Sequence, residues 1–190
     1  MTKLYSYVVN HDIGYAPNPY DSYCTLAHCK YIKIRKNITD MALLGDWIIG
    51  TGGVKKKESA GYGKIIYVMR VDEIITLAAY YSDLRFKNRI DNHKYDPKEA
   101  TRNVLISQHY FYFGKNAIPI SEIPQNNLIH PLEKKGPRYR ADFNPKFINQ
   151  LTSWLENKYY IGMHGAPCGC AHSGLKIRKR KTQGRPHSRN

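Results

Sequence analysis

The stretch GDWIIGTGGVKKKESAGYGKIIYVMRV, residues 45–71, decides the fold class of this 190-residue chain. Its two ends are rich in β-branched and aromatic residues, whereas its middle is rich in glycine and lysine. This pattern is typical of two strands joined by a loop. We therefore predict an antiparallel hairpin, which consists of a turn at residues 45–46, a strand over residues 47–50, a break at residues 51–53 and a second strand over residues 64–74.

Further strands are predicted on both sides of this hairpin. Residues 3–10 have the composition of a strand, and residues 103–114 have that of one or two strands interrupted near Gln108. Between them, residues 74–83 can begin a short helix. The remaining segments are polar or rich in proline, and we expect them to be irregular.

The clearest helix begins after Asn144, which is a good N-cap and is followed by Pro145 in the first turn. Its apolar side chains fall on one face, at positions 147, 148, 151, 154 and 155. Strands and helices together predict an α+β fold, with a small, mostly antiparallel sheet or partly open barrel and a few flanking helices. We expect one domain over residues 1–172 and a flexible basic tail over residues 173–190.

Net charge is the strongest global property of the sequence. Thirty Lys and Arg residues stand against fifteen Asp and Glu residues, which leaves a net charge of +15. Such a charge favours binding to nucleic acid, nucleotides or other polyanions. The tail after residue 172 holds seven of these cations and no acid, so it could lie along a phosphate backbone.

Hydropathy predicts the cellular setting. No apolar run reaches the roughly 18 residues that a membrane span needs. The N-terminus lacks the arrangement of a cleavable signal, because its short apolar run meets His11 and Asp12 at once. We therefore expect a cytoplasmic protein without membrane contact. The oligomeric state is not predicted by the sequence.

Four cysteines raise the question of a metal. Cys24 and Cys29 are five positions apart, and Cys168 and Cys170 are two apart. Neither spacing is typical of a zinc site, so we expect no metal and no cofactor. Packed thiols are one alternative. A nucleophilic Cys24 or Cys29 is the other, since the lysines and arginine that follow Cys29 would favour its thiolate.

Acidic and glycine-rich segments offer two more candidate functions. Asp12 and Asp46 could each act as a general base or bind a ribose hydroxyl, although each could equally complete a turn. The loop over residues 51–64 does not have the spacing of a phosphate-binding P-loop. Its lysines and the backbone around Gly52 could still contact an anion.

Aromatic residues beside cations suggest contact with nucleobases, which stack on aromatic side chains. Most tyrosines in proteins only pack, so this hypothesis competes with an ordinary core function. The residues that we predict to contact a ligand lie in two segments, residues 15–35 and residues 46–70. They are Tyr15, Asn18, Tyr20, Thr25, Lys30, Arg35, Asp46, Trp47, Thr51, Gly52, Lys55, Tyr67 and Arg70.

Four segments carry a resemblance to a known family. They are DIGYAPNPYDSYCTLAHCKYIKIR (residues 12–35), GDWIIGTGG (45–53), KIIYVMRVDE (64–73) and VLISQHYFYFG (104–114). In these segments the chain resembles the nucleotide modification associated domain 2 proteins of phages and prokaryotes. The Ala-Pro-Asn-Pro run and the following Cys-Thr-Leu-Ala-x-Cys-Lys run are its most specific parts. The Cys-Gly-Cys segment and the basic tail are not features of the family pattern.

The resemblance implies an association with systems that modify or handle bases, and it supplies no catalytic residue. A looser likeness to pseudouridine-binding (PUA-like) barrels rests on a Gly-Asp turn before a strand. Three functions follow: a module that binds a nucleotide, nucleic acid or modified base; an enzyme of base modification that uses Asp12, Cys24 or Cys29; and a phage protein that binds a host component. In a phage, the setting would be the host cytoplasm.

Overall fold

The computed structural model describes residues 1–27, 37–54, 57–87, 96–133, 135–136 and 138–169. These residues form one mixed sheet and one antiparallel sheet. The strands in these ranges are β1 (Leu4–Val9), β2 (Asn18–Tyr20), β3 (Tyr23–Leu26), β4 (Trp47–Gly52), β5 (Lys64–Arg70), β6 (Glu73–Thr76), β7 (Asn103–Ser107), β8 (Tyr110–Tyr112), β9 (Ile118–Pro119), β10 (Tyr139–Arg140) and β11 (Gly162–Met163).

The first sheet has the strand order β10-β1-β4-β5-β8-β11, and β9 pairs with the start of β5. Its β1 runs parallel to β4, with Leu4 opposite Trp47, and β8 runs parallel to β11. The hairpin of β4 and β5 is antiparallel, which confirms the pairing predicted from residues 45–71.

The second sheet is antiparallel and has the strand order β2-β3-β7-β6. The stretch over residues 12–35 supplies its first two strands. Asp21 and Ser22 join them with positive φ values of 46° and 69°, the conformation that a two-residue hairpin turn requires.

Three helices accompany the sheets: α1 (Ile38–Met41), α2 (Leu77–Ser82) and α3 (Pro145–Lys158). Short 3₁₀ turns lie at Leu84–Phe86, Pro97–Glu99, Gly114–Asn116 and Ile120–Glu122. The Asn144 side chain accepts a hydrogen bond of 2.9 Å from the Lys146 N–H, so the predicted start of α3 is confirmed.

Alternating side chains arrange the core in layers, because neighbouring residues of a strand point to opposite faces. Ile49 of β4 packs with α3 on the outer face of the first sheet, whereas Ile48 packs between the two sheets. In β7, Leu105 faces the first sheet and Ile106 packs with α2. The order of layers is α3, first sheet, second sheet and α2. This arrangement confirms the α+β class, and the sheets do not close into a barrel within the described ranges.

Two predicted boundaries are wrong. The strand expected to stop at Gly50 continues to Gly52, because Gly50 and Gly52 leave room for a tyrosine ring and for a neighbouring backbone, as described below. The single strand expected over residues 64–74 is two strands in different sheets. Asp72 stabilises the crossing, since its carboxylate accepts hydrogen bonds from the N–H groups of Gln108 (2.8 Å) and His109 (3.0 Å).

Candidate functional site

Asp12 is fully buried at the place where three distant segments meet. One carboxylate oxygen accepts a hydrogen bond from the Tyr112 hydroxyl, and the other accepts one of 3.0 Å from the Cys168 N–H. The Asp12 N–H donates to the Glu58 carbonyl (2.6 Å), and the Asp12 carbonyl accepts from the Gly169 N–H (2.9 Å). A single residue therefore joins the end of β1, the β4–β5 loop, β8 and the chain leading to residue 169.

Close backbone contacts bring Cys168 to this place. The His164 N–H donates to the Tyr112 carbonyl, and the Lys115 N–H donates to the Ala166 carbonyl, each at 2.7 Å. Gly114 has φ +52°, and a Cβ built on it would overlap the Ala166 carbonyl. Glycine is thus the residue that fits there, and the chain beyond β11 lies directly against β8.

Asp12, Tyr112 and Cys168 form a cluster, which we call the Asp12 cluster, and the pKa of each side chain is raised. Burial, above all, raises the pKa of the Asp12 carboxyl, although its hydrogen bonds oppose the change. Burial raises the pKa of the Tyr112 phenol well above its usual value, and the neighbouring Asp12 charge adds to this. The Cys168 pKa rises to about 12, again chiefly through burial. Tyr112 and Cys168 are therefore protonated at neutral pH.

This geometry defines what Asp12 can do. Both of its oxygens accept hydrogen bonds from the protein itself, and the side chain has no exposed surface. Asp12 thus fixes Cys168 and Gly169 at the end of β1 through backbone hydrogen bonds, an arrangement that we call the Asp12 latch.

A second set of predicted residues lies together on the first sheet. The Tyr67 hydroxyl donates to the Tyr7 hydroxyl (2.8 Å), and the Thr51 hydroxyl donates to the Tyr7 carbonyl (3.2 Å). The Tyr67 ring lies over Gly50, where a built Cβ would overlap it. A Cβ on Gly52 would likewise overlap the Gly61 carbonyl. These contacts place Tyr67, Thr51 and Gly52 in the packed interior.

Asp46, Trp47 and Arg70 have structural partners. The Asp46 carboxylate accepts hydrogen bonds from the N–H groups of Lys3 (2.8 Å) and Leu43 (2.9 Å), so it closes the turn before β4. Trp47 packs under α3. The Arg70 guanidinium donates to Asp72 at 2.7 Å.

The described residues between positions 12 and 27 that we predict to contact a ligand lie in the second sheet or just before it. Asn18 and Thr25 are buried opposite each other in β2 and β3, whereas Tyr15 and Tyr20 are partly exposed. The Thr25 and Tyr80 hydroxyls are 3.2 Å apart. Cys24 is buried between the sheets, in the same core cluster as Tyr112.

Through Tyr112, which donates to Asp12, the structure links Asp12 to the inner-face cluster that contains Cys24. Trp47 packs on the outer face of the first sheet, whereas Ala16 and Cys24 pack on the inner face. Trp47 therefore lies on the opposite face of this sheet from Cys24. The predicted residues Cys29, Lys30, Arg35 and Lys55 lie outside the described residues.

Sequence reasoning missed Tyr112, and it considered Cys168 only as a metal ligand or a packed thiol. The contacts of Tyr112 and Cys168 with Asp12 join positions 100 and 156 residues apart, for which a single sequence offers no signal. Within the described part of the chain, no group of three His, Cys, Asp or Glu residues is placed to hold a metal ion. Over the same residues, no helix is both long and apolar enough to cross a membrane.

Charge is distributed unevenly between the described residues and the rest. The described residues hold 14 Lys and Arg and 14 Asp and Glu, against 30 and 15 in the whole chain. They are therefore balanced, and the entire excess of 15 positive charges falls in the other segments. Most of that excess belongs to residues 28–36 and 170–190.

Comparison with known proteins gives one match. A family model described as nucleotide modification associated domain 2 matches residues 1–101 and 91–174, which confirms the resemblance drawn from residues 12–35 and the hairpin segments. No curated protein and no solved structure matches the chain.

Proposed function

We propose that this chain, which belongs to the nucleotide modification associated domain 2 family, binds nucleic acid in connection with base modification. The observation that carries the proposal is the distribution of charge. The described residues carry balanced charge, whereas the excess positive charge is clustered along the sequence, chiefly in residues 28–36 and 170–190. Clustered cations of this kind release counterions from a phosphate backbone, which supplies most of the affinity in sequence-independent binding.

The Asp12 latch supports this proposal, because it holds together Gly169 and Glu58, the described residues beside which two of the basic segments begin. Gly169, which precedes the tail, is bonded to the Asp12 carbonyl, and Glu58, which follows the lysines at 55–57, is bonded to the Asp12 N–H. A Cβ built on Gly169 would lie 3.6 Å from the Cα of Glu58. The tail and the lysine loop thus start from one point, and both can contact one polyanion.

Fluorescence anisotropy with labelled single-stranded and duplex oligonucleotides tests this function. We expect binding that weakens steeply with salt, and we expect a chain truncated after Gly174 to bind more weakly with a flatter dependence of log K on log salt. A full-length chain that binds neither oligonucleotide at low salt would overturn the proposal. An unchanged slope after truncation would exclude the tail.

The enzyme alternative is examined with the same samples. Oligonucleotides and nucleotides recovered after incubation can be weighed by mass spectrometry, because a modified base changes the mass. A change that depends on Asp12 or on a cysteine would favour the enzyme. Binding without any change of mass favours the binding module.

A further inference from the structure

Three aromatic rings form a continuous stack from the core to the surface after α3. Phe113 is buried, and the His164 ring lies parallel to it, with centroids 5.1 Å apart and an interplanar angle of 28°. Tyr160 covers His164 at a centroid distance of 4.2 Å and an angle of 33°. Tyr160 is 64% exposed, so the outermost ring of the stack presents a large aromatic surface to solvent.

Hydrogen bonds fix the outer two rings. The Tyr160 hydroxyl donates to the Met163 carbonyl (3.0 Å), and the His164 Nε2 bonds to the Tyr160 carbonyl (2.8 Å). The Asn116 side-chain amide donates to the His164 carbonyl (2.8 Å). Burial lowers the pKa of His164, so its ring is neutral at pH 7. The Tyr160 ring is therefore held in one orientation before any ligand arrives.

We infer that the exposed Tyr160 ring is a stacking platform for an unpaired nucleobase. The inference rests on the proposed function and adds which part of the nucleic acid the folded domain contacts. Bases stack on aromatic side chains without regard to sequence, and only a single-stranded or flipped base has a free face to offer.

Position and charge favour this occupant. Four residues after Tyr160, the His164 N–H bonds to the Tyr112 carbonyl of β8, and further along the Gly169 N–H bonds to the Asp12 carbonyl. The sequence after Gly169 holds seven cations and no acid. Because Lys176, the first of those cations, follows Gly169 by only seven residues, a single strand that contacts them can also reach the platform. Tyr160 carries no charge, so it adds contact with the base and not with the phosphate.

The test compares Tyr160→Ala with wild type, using a single-stranded oligonucleotide that contains 2-aminopurine, whose fluorescence falls on stacking. Loss of one stacked base is expected to raise Kd by about 5- to 150-fold and to reduce the quenching. The slope of log K against log salt is expected to stay unchanged, because no phosphate contact is lost. Binding to the matching duplex is expected to change little.

Two variants and one control make the result specific. Tyr160→Phe keeps the ring and is expected to bind like wild type, whereas Tyr160→Leu keeps apolar cover without a π-face and is expected to bind weakly. Leu84→Ala removes another exposed large apolar side chain, on the 3₁₀ turn Leu84–Phe86, and it is expected to leave Kd and quenching unchanged. If Tyr160→Ala fails to fold, the Leu and Phe variants decide.

The outcomes separate this inference from the proposed function. Wild-type affinity in the Tyr160→Leu or Tyr160→Ala protein overturns the platform but leaves nucleic-acid binding intact. Equal losses in the Tyr160 and Leu84 variants would also overturn it, as would a partner protein that binds at Tyr160 while oligonucleotide affinity is unchanged. A wild-type chain that binds no oligonucleotide overturns both.

Discussion

Asp12 links the stability of the fold to pH at the scale of a single residue. Burial raises its pKa in the folded chain, so the folded state keeps a proton that the unfolded chain releases. Its contribution to the free energy of unfolding is therefore complete below the ordinary carboxyl pKa of about 3.9 and is lost as the pH rises through the raised value. We expect Asp12→Asn, which cannot titrate, to remove this component from the pH dependence of urea denaturation above about pH 4.

Asp21→Asn is the matched control for that experiment. Asp21 is exposed and has φ 46°, a conformation that asparagine tolerates. The variant is expected to keep the wild-type dependence of stability on pH. If Asp12→Asn also kept it, the carboxyl would not be held as the structure shows.

The candidate site was predictable only in part at this scale. Asp12 and Cys24 stand out in the sequence because an acid and a thiol flank a conspicuous Pro-Asn-Pro run. The contacts of Tyr112 and Cys168 with Asp12 could not be predicted, because the tertiary fold, and not a local sequence pattern, brings these residues together. Asp46 could be predicted to complete a turn, and the structure gives both of its oxygens backbone partners.

Elements defined by local interactions were predictable, whereas those defined by distant contacts were not. Helix α3 has its own cap and apolar face, so nearby residues specify it. The end of β4 depends on a different strand. The run Thr51, Gly52 and Gly53 suggests a break after Gly50, but Thr51 and Gly52 lie in the strand. The Tyr67 ring of β5 occupies the space of the missing side chain at Gly50, and the Gly61 carbonyl occupies that at Gly52.

Gly50→Ala tests this arrangement of strands. The added Cβ would overlap the Tyr67 ring and lie 2.7 Å from the Cγ2 of Val9, so the ring must move and its hydrogen bond to Tyr7 must break. We expect a loss of about 1–3 kcal/mol in the free energy of unfolding, which is typical of an overpacked core. Chemical denaturation measures it.

The same substitution in a Tyr67→Ala background provides the control. Without the ring, the added methyl group has more room, so Gly50→Ala is expected to cost less than in wild type. The two substitutions should therefore be non-additive. Equal costs in both backgrounds would mean that the Tyr67 ring does not determine the need for glycine at residue 50.

At the scale of the whole molecule, the α+β class alone does not specify how the strands pair or how many sheets they form. An α+β fold follows from the order of strand and helix patterns, but the parallel pairing of residues 4–9 with residues 47–52 does not. Nor does the division into two sheets, because residues 64–76 have the composition of one long strand. Long-range pairing depends on which buried faces meet, and a single sequence leaves several solutions open.

Charge is a property of the whole molecule, and its placement predicts how binding responds to salt. In single-stranded nucleic acid each neutralised phosphate adds about 0.7 to the slope of log K against log salt. Replacing Lys55, Lys56 and Lys57 by glutamine is therefore expected to flatten the slope by up to about 2. Anisotropy titrations at several salt concentrations measure it.

A second triple variant separates the effect of the loop from that of net charge. The described residues, whose charges balance, include three exposed lysines: Lys87, Lys98 and Lys146. Replacing these three by glutamine removes the same total charge. Phosphate contacts act at short range, since salt screens exposed charges over about 8–10 Å, so this variant should keep the wild-type slope. Equal flattening in both variants would show that overall charge, and not the lysine loop beside the Asp12 latch, attracts the nucleic acid.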